Sequence, residues 1–301
     1  MARLWVRMSL FTLLVLLGSG CDSRSGYSQS SPDAVIATAK LMVQRGDAAR
    51  LPELFHAEND EMRSLFRRMG ILLGNLQKLG TSVKAAFPAE IAKLESQAAL
   101  AAKKGQATGL LSAITGNQQN PFARRRQGQS PEAAAQAAKK QEDAVNAAIK
   151  RLFANPYAFL EDGAGRLSTA YVSDDVAAVQ WDRQPILPPV GLTMKRVERG
   201  GTTRWEIVLP FNLPGMARFT PRTKDEYKVL GSLMKTLDNV VVDLTRDVEE
   251  RRLTSLDALS RKAGEKLLIP AAMTFYAYDR AVRARAKAAP PAPATPAVGP
   301  G

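Results

Sequence analysis

Residues Glu61 to Leu79 read EMRSLFRRMGILLGNLQKL. Their apolar members, Met62, Leu65, Phe66, Met69, Leu72, Leu73, Leu76 and Leu79, recur at steps of three and four, which places them along one side of a long α-helix. The other side carries Arg63, Arg67, Arg68 and Lys78. An amphipathic helix of this length has to bury its apolar stripe against other elements, so the stretch predicts a mainly helical body.

Working outward, Pro88 interrupts the pattern and Ala89 to Lys104 reads as an alanine-rich helix. Between Gly105 and Gln129 the periodicity breaks, and NQQNPFARRRQGQ, Asn117 to Gln129, has the amide, proline and glycine content of an exposed loop. Ser130-Pro131-Glu132 then restarts helix, which continues through Val145, Ile149 and Leu152 to Asn155-Pro156. Residues 61–154 thus predict a helical hairpin. Upstream, Ser31-Pro32-Asp33 is the same starting device: a serine cap, proline at the first helical position, and an acid beside it. That helix carries Val35, Ala39 and Met42 and stops at Gly46-Asp47, with a shorter one from Ala48 to Phe55.

From Gly163 the period changes to two. Arg166 to Val172 and Val176 to Trp181 flank the turn Ser173-Asp174-Asp175, and Leu192 to Glu198 and Thr202 to Leu209 flank Arg199-Gly200-Gly201, a hairpin signal. We expect a small antiparallel sheet of about four strands at 165–210. Helix returns at 223–287: one long amphipathic helix from Tyr227 to Val248, one capped by Thr254 or Ser255, and a last one opened by Pro270 and running from Ala271 to Lys287. The fold class is therefore α+β, mainly α, with residues 31–287 as a single mixed domain. Ala288 to Gly301, AAPPAPATPAVGPG, favours an extended polyproline tail.

The 301-residue chain is 45% hydrophobic, enough for a core, and carries a formal charge of +13. It has one cysteine and one histidine. That excludes disulfides within the chain and zinc sites built from cysteine and histidine pairs. His56-Ala57-Glu58 has the His-x-Glu spacing of zinc deaminases without their cysteine pair, and His56 reads as a surface or helix-end residue. No Gly-x-Ser-x-Gly, Gly-x-x-x-x-Gly-Lys or Gly-x-Gly-x-x-Gly occurs. No cofactor is expected, and the adjacent acids read as turns and solvated faces.

The single cysteine lies at the end of MARLWVRMSLFTLLVLLGSGC, in which Arg3 and Arg7 precede an apolar run and small residues. The order is that of a secretory signal peptide over residues 1–20, too short in its apolar run to span a bilayer. Leu17-Gly18-Ser19-Gly20-Cys21 resembles the lipobox of bacterial lipoproteins, although the family prefers leucine where this chain has Gly18. The resemblance implies that Cys21 becomes the mature N-terminus and carries a diacylglycerol and an amide-linked acyl chain, with residues 21–30 as a lipidated spacer. Asp22 implies inner-membrane retention under the enterobacterial sorting rule only, which leaves inner versus outer membrane undecided. The competing readings are an exported protein with a stray thiol and a cytosolic protein with an apolar first helix.

The body has a fainter likeness. PDAVIATAKLMVQRGDAARLPELF, followed later by a strand pair ending in Trp205-Glu206-Ile207, is similar to the nuclear-transport-factor-like cone fold over Pro32 to Phe55 and Gly165 to Leu209. That fold hosts enzymes and binding modules alike.

These features predict a membrane-tethered envelope lipoprotein with a non-catalytic interaction or structural role. Its expected partners are membrane lipid through acylated Cys21 and an envelope protein, and not nucleic acid, for which basic residues interleaved with aromatics would be needed. Arg124, Arg125, Arg126, Arg280, Arg283 and Arg285 are candidate contacts to an anionic membrane surface, against the alternative of simply solvated faces. The runner-up is a small-ligand carrier whose apolar pocket between sheet and helices is lined by Trp181, Trp205 and Phe219. An enzyme using carboxylates alone is a third reading, and would need polar groups converging at the bottom of that pocket.

Overall fold

The computed structural model describes residues 26–103, 136, 146–147, 149–158, 160, 163–186, 191–209 and 220–288. The leader, Cys21, the loop from Gly105 to Gln129 and the tail past Ala288 lie outside them. The architecture is α+β and mainly helical: α1 (Pro32–Gln44), a 3-10 helix (Ala48–Leu54), α2 (Asp60–Ala86), α3 (Pro88–Lys103), five strands, α4 (Lys224–Glu249) and α5 (Leu256–Ala288).

The starting devices act as the sequence implies. The Ser31 hydroxyl accepts from the Ala34 N–H, and Asn59 accepts from Met62 at the head of α2. Thr223 and Glu226 form a full capping box on α4.

The sheet comprises β1 (Leu167–Ser173), β2 (Val176–Trp181), β3 (Gln184–Pro185), β4 (Leu192–Arg199) and β5 (Thr202–Val208), all antiparallel, in the order β1-β2-β4-β5 with the two-residue β3 also on β2. The short β3 adds to the four expected strands. Arg199 pairs with Thr202, so Gly200 and Gly201 make a two-residue turn, and both have positive φ, the geometry of a type I′ hairpin. One face of the sheet (Ala177, Val179, Met194, Trp205) packs on Val35, Ala39 and Met42 of α1 and on Ala48, Leu51 and Leu54 of the 3-10 helix. The segments Pro32 to Phe55 and Gly165 to Leu209 thus contribute to one core.

A second core is purely helical, built by Leu72, Leu79 and Val83 of α2, Val240, Val241, Leu244 and Val248 of α4, and Leu256, Leu259 and Ala263 of α5. Phe87 and Ile91 at the head of α3 and Phe153 and Ala154 join it. Each fully buried leucine or valine stabilises by roughly 1.5–3 kcal/mol. Helices α2 and α4 run parallel: Glu61 meets Lys224 (3.7 Å), Arg68 lies over Gly231, and Asn75 Nδ2 donates to Asp238 Oδ1 (2.6 Å). These contacts fall a heptad apart on both helices, the spacing of a coiled-coil seam, and Asn75–Asp238 is a polar pin of its register.

At Gly70 a Cβ would drive into the carbonyl oxygen of Ala49, so the bare backbone there lets α2 press against the 3-10 helix.

One expectation is corrected. Pro270 does not open a helix; α5 runs through it from Leu256 to Ala288. Proline lacks the N–H that would bond to Lys266 and costs about 3 kcal/mol inside a helix. The helix persists because both its halves are held independently, the first by the helical core and the second by Tyr278 and Arg285, described below.

Candidate functional site

Of the residues singled out in the sequence, Cys21, Arg124, Arg125, Arg126 and Phe219 lie outside the described residues. Trp205 is 4% exposed and sits inside the sheet core, with Tyr171 edge-on to its ring at 5.6 Å. Trp181 packs against the same core and lies under the Arg166 guanidinium, 4.6 Å from the ring centroid. The expected pocket is therefore corrected at these two positions: on a sheet face closed by α1, both indoles are packing residues. Among the described residues, the two best-formed cavities lie between helices and are lined by neither. One of about 460 Å³ lies between α2 and α4 and is bordered by Glu61, Ser64, Arg68, Lys224 and Lys228. The other, of about 740 Å³, lies beside α5 and is bordered by Lys150, Asp257, Ser260, Arg261 and Glu265. Charged and hydroxyl side chains border both, beside apolar surface from Leu65 and Tyr227 in the first and Ala147 and Leu268 in the second.

Polar groups converge instead on the far face of β5. Alternation puts Trp205 and Ile207 into the core and Glu206 on the opposite face, where a carboxylate would be solvated. Glu206 is nevertheless completely buried. Arg204, on the same face two residues away, donates from Nε to Oε1 (2.9 Å), and Arg199 stands 3.7 Å from the same oxygen. His56 Nδ1 lies 2.9 Å from Oε2. An ionised carboxylate only accepts, so Nδ1 carries the proton. The backbone fixes the imidazole: the His56 N–H donates to the Ile207 carbonyl (2.8 Å), beside a bridge between Phe55 and Ile207.

This cluster also closes the outer edge of β5. Trp205 N–H donates to the Gln29 carbonyl (2.8 Å), and Gln29 Nε2 returns a bond to the Trp205 carbonyl (3.1 Å). An otherwise open edge would be a template for pairing with another chain. A carboxylate-bound imidazole is also the core of general-base sites, but such a base must meet its substrate in a cleft, and His56 borders neither cavity. His56 thus stands just past the end of the 3-10 helix, one of its two expected places, and is half-buried there and not on the open surface. The sequence conceals the cluster because its members lie far apart along the chain and alternation assigns Glu206 to water.

A second fully buried carboxylate, Glu226, stands at the head of α4. Its Oε2 accepts from the Arg222 N–H (2.6 Å) and from Arg285 Nη1 (2.7 Å), which also donates to the Thr220 carbonyl (3.3 Å). Oε1 meets no donor among the described residues. Tyr278, one helical heptad before Arg285, is 5% exposed, and burial together with the nearby Glu226 charge pushes its hydroxyl up to about 12. Arg285 is therefore corrected from a surface contact to the inner face of α5, where it fastens the end of that helix to the start of α4. Arg283 is exposed and paired with Asp279 (2.6 Å), and Arg280 is exposed.

Opposite that inner face, the outer stripe of α5 reads Ile269, Met273, Tyr276, Arg280, Arg283 and Lys287, all exposed. Ile269, Met273 and Tyr276 are 67%, 68% and 71% exposed, with Leu268 beside them at 72%. No helix among the described residues is long and apolar enough to cross a membrane, and no group of three or more metal-binding side chains occurs among them. No protein-family model, no curated protein and no solved structure matches the chain.

Proposed function

We propose that the chain is a bacterial envelope lipoprotein, held at a membrane by acylated Cys21, whose body serves a non-catalytic interaction or structural role. The observation that carries this reading is LLVLLGSGCDS, Leu13 to Ser23, in which the chain's one cysteine follows an export signal and small residues. Two or more acyl chains at that residue give anchoring that a single chain does not. The way the body begins supports it. Tyr27 bonds Asp47 and packs against the core with Arg50 over its ring, and Gln29 pairs with β5. The six steps from Cys21 to Tyr27 reach about 22 Å at most, so the body is held close to the surface that holds the lipid.

The interaction role draws support from the convergent polar groups, which bind one another: His56, Arg204 and Arg199 close on Glu206, and Arg285 closes on Glu226. The direct test replaces Cys21 with serine and fractionates cells. The wild-type mature protein is expected to carry the mass of the lipid and to sediment with membranes, and C21S is expected to lose both. A C21S protein that still sediments, together with a wild-type mass without lipid, overturns the reading.

A further inference from the structure

The geometry points to the outer stripe of α5 as a second membrane contact, a peripheral docking surface for anionic phospholipid. It rests on the lipid-anchored reading, which brings the body to a membrane. Ile269, Met273, Tyr276, Arg280, Arg283 and Lys287 follow at steps of four, three, four, three and four, so they form one line along the helix. The first three are exposed apolar side chains, and the last three are exposed bases. An apolar patch continued by cations on the same stripe matches an interface where acyl chain borders phosphate. The inner side of the helix is occupied at both ends: Leu256, Leu259 and Ala263 are in the helical core, Tyr278 is buried, and Arg285 is held by Glu226. The outer stripe is consequently left uncovered by the rest of the body. The charge favours lipid over an apolar protein groove, because three cations follow the patch and Asp279, paired with Arg283, is the acid nearest them. Each base near an anionic surface strengthens association about fivefold.

The test uses the full chain on vesicles of phosphatidylglycerol and phosphatidylcholine, with a thiol spin label at Met273→Cys and, as control, at Lys195→Cys on the exposed face of β4. Labelling of the unmutated chain separates the two claims. No uptake means that Cys21 is blocked as the lipid reading requires, whereas uptake sinks that reading and moves the docking experiment into a Cys21→Ser background. On phosphatidylglycerol vesicles the label at 273 is expected to become several-fold more accessible to oxygen than to a water-soluble nickel chelate, with the label at 195 unchanged. High salt, or the triple replacement Arg280→Gln, Arg283→Gln and Lys287→Gln, is expected to return it to water. A label at 273 that stays open to nickel on these vesicles overturns the proposal. So does a label shielded from both reagents without vesicles, which would mean that protein, either this chain or a second copy, covers the stripe. Immersion that is equal on pure phosphatidylcholine overturns the part assigned to charge.

Discussion

Glu206 on the sheet and Glu226 at the head of α4 are both completely removed from water, and they are neutralised in opposite ways. Glu206 is surrounded: Arg204 and Arg199 share one oxygen and His56 takes the other. Glu226 has a single side-chain cation, Arg285, and one oxygen without a donor among the described residues. Removing one partner from a buried pair leaves a charge that neither water nor protein balances, at a cost of about 3–5 kcal/mol. The redundancy around Glu206 should soften that cost, and the single cation at Glu226 should not. The first site closes a strand edge and should tolerate damage; the second fastens two helices through one side chain.

Arg285→Ala is accordingly expected to produce the largest loss, about 3–5 kcal/mol by urea denaturation. Arg204→Ala should lose less, about 1.5–3 kcal/mol, because His56 and Arg199 remain on Glu206. Equal losses for the two variants would break the comparison.

How much of this was legible in the sequence differs between the two sites for physical reasons. The alternation of β1, β2, β4 and β5 carried the strands to within a residue, and the three-and-four spacing of α2 and α4 carried the helices but not their ends, because each pattern reflects one buried face. Glu206 was hidden since alternation predicts which face a residue takes, not what covers that face, and its cover arrives from His56, far away in sequence. Arg285 was obscured by its neighbours. In YDRAVRARAKA it looks like one base among several, yet its heptad offset from buried Tyr278 puts it on the inner stripe, a signal that was present and outweighed by charge counting. Pro270 misled because proline ends a helix only where nothing else holds the continuation.

Tyr278 sharpens the comparison through pH. Burial and the Glu226 charge raise its hydroxyl from the ordinary value near 10 to about 12, while Arg285 opposes the shift. The folded protein thus holds this proton more tightly than the unfolded chain. The stability it confers is intact below pH 10 and is lost as pH rises from 10 towards 12. Tyr278→Phe should flatten part of that alkaline loss in denaturation profiles; Tyr157, pushed up by burial, and Tyr27, pushed up by its bond to Asp47, contribute to the rest. In Arg285→Ala the Tyr278 titration, followed by ultraviolet absorbance, should move further upward; an unchanged midpoint would mean that the Arg285 charge is not felt there.

The smallest effect bears on what the Glu226 contact is for. If it holds the second half of α5 in place across the weak point at Pro270, then repairing the weak point should make the contact matter less. Pro270→Ala restores a backbone bond and should raise stability by about 1–2 kcal/mol, below the cost of proline in an isolated helix because alanine also frees the unfolded chain. In that background Arg285→Ala should cost about 0.5–1 kcal/mol less than it does alone, a coupling that a double-mutant cycle resolves. A coupling of zero would mean that α5 continues past Pro270 without help from α4, and that Arg285 serves only to balance a buried charge.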